Sequence, residues 1–144
     1  MAEPDTIKLL RECDAGVKMG ISSIGDVLTY IHEEELRQCL AEGVSAHETL
    51  EGEIKRQLNN YHDDGKEPNP IAKGMSWVKT NVKLAMEGSD AAIADFVTDG
   101  CNMGVKSLNK YLNQYQAADE TSKDLAKRLI SIEEDLAADI RMFL

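Results

Sequence analysis

Between Leu36 and Tyr61 the chain returns to one face every three or four residues, through Leu36, Leu40, Gly43, Leu50, Ile54, Leu58 and Tyr61. An α-helix turns once in about 3.6 residues, so this spacing lines those positions along one side and commits the segment to packing against a neighbour. The same step recurs in Ile7, Leu10, Val17, Ile21, Ile24, Leu28 and Ile31, and again in Leu125, Leu129, Ile132, Leu136, Ile140 and Phe143. A further stripe runs through Ile71, Met75, Val78, Val82 and Ala85, with Trp77 and Met86 beside it. It resumes after Gly88-Ser89-Asp90 as Ile93, Phe96, Gly100, Met103, Leu108 and Tyr111. No stretch alternates apolar and polar residues over a strand's length, and aromatic residues make up only 5% of the chain, so nothing signals a β-sheet.

These periods predict an all-α fold: one domain spanning 1–144, built as an antiparallel four-helix bundle. Its helices cover about 5–31, 33–61, 71–115 and 122–143, the third broken at Gly88-Ser89-Asp90, where Ser89 or Asp90 is a suitable N-cap. The prolines, Pro4, Pro68 and Pro70, fall where helices should not continue, and the last two mark a linker from Asp63 to Pro70. A chain of 144 residues can bury a sizeable core without disulfide or metal staples.

Charge and composition narrow the partners. Twenty-six acidic against 16 basic residues give a net charge of −10, which repels nucleic-acid phosphates and anionic membrane surfaces alike. No apolar run approaches the roughly 20 residues that cross a bilayer, and Met1–Arg11 lacks the basic-then-apolar order of a signal peptide. Cys13, Cys39 and Cys101 are far apart in sequence, odd in number and without zinc-site spacing, which fits reduced thiols and a cytoplasmic location. The methionines at 19, 75, 86 and 103 fall at helical spacings suited to filling a core.

Two polar residues interrupt the apolar seams. Asp14 stands in the first and His47 in the second. Counted from a turn near His32, they lie 18 residues before it and 15 after it, a height difference of about 5 Å. The sequence therefore predicts that they meet inside the bundle, as a satisfied buried pair or as metal ligands. Asp99, Asn102, Glu134 and Asp135 count to a comparable level from the other turn, with Asp139 somewhat lower, so Asp14, His47, Asp99, Asp135 and Asp139 form the candidate metal set. Iron, manganese or zinc would suit it. With Ile132 and Leu136 inward, the run Glu133-Glu134-Asp135 reads as a solvated acidic face. Gly16, Gly20, Gly43, Gly100 and Gly104 would ease a close approach of helices or a small apolar ligand between them.

The stretches Leu9–Gly16 and Glu35–Ile54, and above all Gly74-Met75-Ser76-Trp77-Val78-Lys79 through Gly88-Ser89-Asp90 to Tyr111, resemble an uncharacterised bacterial ferritin-like family, a domain of unknown function. The resemblance covers about Ile7 to Leu144 and implies a ferritin-like bundle. The wider group often holds two irons with two single glutamates and two Glu-x-x-His elements. This chain departs from that pattern. His47 closes Val44-Ser45-Ala46-His47, without the glutamate, and Glu133-Glu134-Asp135-Leu136-Ala137 carries no histidine. Asp14 could stand for the first-helix glutamate, but a normal di-iron centre is not expected.

No Ser/His/Asp spacing, phosphate-binding glycine loop or His-Glu-x-x-His element is present. The sequence points to a non-enzymatic bundle with no cofactor, acting through self-association as a homodimer or through a protein partner. The alternative is a metal-binding or redox bundle around Asp14 and His47.

Overall fold

The computed structural model describes residues 3–66 and 73–144, with side chains from Trp77 onward in the second stretch. These form five α-helices and a closing 3-10 turn, with no strand among the described residues: α1 Pro4–Leu28, α2 Glu34–Asn60, α3 Lys73–Met86, α4 Asp90–Gln114 and α5 Glu120–Asp139, then Arg141–Phe143. Part of the expected linker, with Pro68, Pro70 and Ile71, lies outside the described residues, as does the Met75 side chain.

The ends follow local chemistry. Pro4 opens α1, where a missing N–H costs nothing. Ser89 caps α4 by accepting from the Ala92 N–H at 3.3 Å, so the expected break yields two separate helices. Asp119 caps α5 through the Ser122 N–H at 2.8 Å, which starts that helix two residues earlier than the expected 122.

Packing is set by the apolar faces. α1 lies against α2, α4 and α5; α2 also meets α5, and α4 meets α5, while α3 rests on α1 and α4. Because α1 touches every other helix, its buried face is wider than the expected seam. Leu9, Cys13 and Val27 are fully buried, while Ile7, Ile21 and Leu28 are only half-buried. On α2 the expected seam is the buried one from Leu36 to Leu58. At Gly43 the α2 backbone comes close to α5: a Cβ there would stand 3.1 Å from the Leu136 methyls.

Polar clasps hold both ends. At one, the Asp90 carboxylate leaves its own helix start and accepts from the backbone N–H groups of His32 (2.9 Å) and Glu33 (2.7 Å), tying the α3–α4 break to the α1–α2 turn. Burial pushes against ionisation of Asp90, but these bonds outweigh it and hold its pKa below the usual range. At the other, Thr6 accepts from the Asp119 N–H at 2.9 Å, Tyr61 donates to the Asp119 carboxylate at 2.9 Å, and Arg11 pairs with Asp63.

The core divides in two. One cluster gathers Ile24, Val27, Ile31, Leu36, Leu40, Ile93, Val97, Leu136 and Ile140; the other gathers Leu9, Leu10, Val17, Leu50, Ile54, Leu58, Leu125 and Leu129. On α2 and on α5 the boundary falls at a polar residue: His47 lies between Leu40 and Leu50, and Glu133 between Leu129 and Leu136.

Candidate functional site

His47 is fully buried, and two acceptors claim its ring. Nδ1 is 2.7 Å from the Gly43 carbonyl oxygen, and Nε2 is 2.7 Å from Oε1 of Glu133. A carbonyl only accepts, so Nδ1 carries a hydrogen, and a single proton is then shared between Nε2 and the carboxylate. Burial works to lower the His47 pKa. The hydrogen bond and charge of Glu133, helped by the Gly43 carbonyl, outweigh it and raise the pKa above the ordinary histidine value. Room for the ring comes from Gly20 of α1: a Cβ there would lie 2.8 Å from Cδ2 and from Nε2. Glu133, 8% exposed, also lies beside Cys101. Burial first, and then the charge of Glu133, drives the Cys101 pKa upward and keeps the thiol protonated.

Glu133 forms part of the inner wall of a cavity of about 310 Å³ between α1 and α4. Gly16 and Gly20 of α1 and Gly100 and Gly104 of α4 line it, so four of the five glycines singled out in the sequence open one space. Gly43, the fifth, belongs to the α2–α5 contact instead. Ile24, Val78, Phe96 and Val97 supply apolar surface, together with Trp77, whose ring stacks on Phe96 at 5.5 Å between centroids and 12° between planes. Toward the α1 N-terminus the wall is polar: Lys66 bonds Glu12 at 2.5 Å, and Tyr111 stands near Glu12. Met103, expected in the core, is 38% exposed and lines this cavity; Met19 is half-buried on its wall and Met86 half-buried against the core.

The expected meeting of Asp14 with His47 is corrected. Both are buried, at 1% and 0% exposure, but each has its own partners. Asp14 Oδ2 accepts from Lys18 Nζ at 2.8 Å and from the Lys66 N–H at 3.0 Å. Asp14 thus anchors the segment after α2, where Gly65 adopts φ of +84° and a Cβ would come within 2.3 Å of Oδ2. The residue of α1 that faces His47 is Gly20, six positions on and about 9 Å along the axis. Equal height from a turn fixes neither the tilt of a helix nor which way its side chains point.

The rest of the candidate metal set does not assemble. Asp99 on α4 and Asp135 and Asp139 on α5 are exposed, whereas His47 is fully buried. Among the described residues no group of three or more His, Cys, Asp and Glu side chains is placed to share a metal ion. Glu133, expected in water with its neighbours, is the side chain that turns inward, while Glu134 and Asp135 stay exposed. Its signal was present: it lies four residues after Leu129 and three before Leu136, the same interruption of a seam that marked Asp14 and His47. Cys13 belongs to the other cluster from Cys101, and burial, with Glu12 and Asp14 nearby, pushes its thiol up to about 12. Among the described residues no helix is long and apolar enough to cross a membrane.

No protein-family model, no curated protein and no solved structure matches this chain.

Proposed function

We propose that this chain is a ferritin-like four-helix bundle, with α1, α2, α4 and α5 as its legs and α3 packed outside, that binds a small, largely apolar molecule between α1 and α4. It acts by binding rather than by catalysis. One observation carries this reading: a cavity of about 310 Å³, within the size range of small-ligand sites, is lined mostly by apolar side chains and has a buried carboxylate, Glu133, on its inner wall. The reactive groups nearby are held in check, since the Cys101 thiol is kept protonated and His47 is bound at both nitrogens.

The test uses the single tryptophan, Trp77, as reporter. Titration with the neutral probe N-phenyl-1-naphthylamine should quench Trp77 saturably at one probe per chain. Gly100→Leu projects a side chain into the cavity, where a Cβ meets no described atom within 4 Å, and should abolish the quench while leaving the helical circular dichroism intact. No saturable quench, or an unchanged quench in folded Gly100→Leu, refutes the reading.

Self-association is the second reading, and exposed apolar side chains favour it. Tyr30 and Met142 are 44% and 76% exposed. Ile31, Ile140 and Phe143 share one core cluster, which puts both at the same end of the molecule. Sedimentation should then give a dimer that Met142→Ser weakens; a monomer at all concentrations removes this reading.

A further inference from the structure

Resting on the cavity reading, we infer that the ligand is an organic cation, a protonated amine on a compact apolar or aromatic body. The polar groups on the wall decide its charge. Glu133 Oε1 is engaged by His47, while Oε2 lies on the Gly104 side, 3.6 Å from where a Cβ of that cavity-lining glycine would stand. A carboxylate oxygen accepts and never donates, so the inner wall presents an acceptor to the cavity.

Two of the donors around it are already committed. The Ser23 hydroxyl donates to the Met19 carbonyl at 2.7 Å. Lys66, a cation on the wall, is held by Glu12 at 2.5 Å. Glu12 is paired with Lys66 and Glu133 with His47, so the described lining carries no surplus positive charge, within a chain of net charge −10. A ligand carboxylate or phosphate would meet this acceptor without an unpaired cation among the described lining residues to hold it.

An ammonium group meets the opposite case. It supplies up to three donors to Oε2 in surroundings of low dielectric, where a charge-assisted hydrogen bond is at its strongest. The stacked Trp77 and Phe96 rings offer the apolar body a flat surface. The four glycines bring that body within reach of Glu133.

Competition against N-phenyl-1-naphthylamine tests the charge at constant shape, with 2-phenylethylammonium, 2-phenylethanol and 3-phenylpropanoate as competitors at pH 7. The ammonium should compete at a concentration at least about tenfold below the alcohol, the ratio that roughly 1.4 kcal/mol gives, and the carboxylate should be weakest. Glu133→Gln should bring the ammonium and the alcohol to the same affinity while the naphthylamine still binds. The inference is overturned if the alcohol or the carboxylate competes as well as the ammonium, or if folded Glu133→Gln keeps the preference. The wild-type series decides the question even where that variant does not fold. Failure of the naphthylamine itself to bind strikes the cavity reading, a different result from binding without charge preference.

Discussion

The proton shared by His47 and Glu133 sits on a fully buried imidazole, and folding holds it more firmly than solvent does. Burial disfavours the imidazolium, yet the carboxylate and the Gly43 carbonyl together leave the folded pKa above the ordinary histidine value of about 6.5. A raised folded pKa adds stability that is fully present below the unfolded value and is lost as pH climbs through the folded one. Urea midpoints should therefore fall from about pH 6.5 upward as this proton leaves. Glu133→Leu should flatten that fall and lower stability at pH 6 by about 3–5 kcal/mol, because it strips a buried charge of its partner. An unchanged slope in the variant would show that the pair does not govern it. Asp14 and His47 were legible in the sequence because each breaks an apolar repeat. Glu133 breaks one in the same way, but it stands among acidic neighbours, and positions 132 and 133 both border the inner face of α5. What settles the choice is a partner on another helix, and His47 is 86 positions away in sequence.

Among the helices, the glycines separate by what stands opposite them. A Cβ at Gly20 would press on the His47 ring, which two hydrogen bonds hold in place, so Gly20→Ala should cost more than the helix propensity that alanine returns. Gly52, exposed on α2 with no described atom within 4 Å of its Cβ position, carries no such burden. Gly52→Ala should raise stability by about 0.5–1 kcal/mol. Thermal unfolding of the two variants gives opposite signs if Gly20 is a clearance for the ring, and the same sign if it is not. Helix positions were readable from spacing because each segment repeats its apolar residues over several turns. The independence of α3 from α4 was harder to read: Gly88-Ser89-Asp90 announces a break, but only packing decides whether what precedes it continues the same leg or lies on α1 and α4.

For the molecule as a whole, the sequence conveyed an all-helical chain and the neighbours that short connections impose. It did not convey how the helices are staggered, and that stagger sets Gly20 rather than Asp14 opposite His47. The Asp90 carboxylate shows what stagger does at long range. It belongs to the first turn of α4, yet it spends its oxygens on the two backbone amides that precede α2. Two helix beginnings more than fifty positions apart thus share one knot. Fraying of either should loosen the other, and hydrogen exchange at the His32 and Glu33 amides should rise with the opening of α4 as well as with that of their own turn.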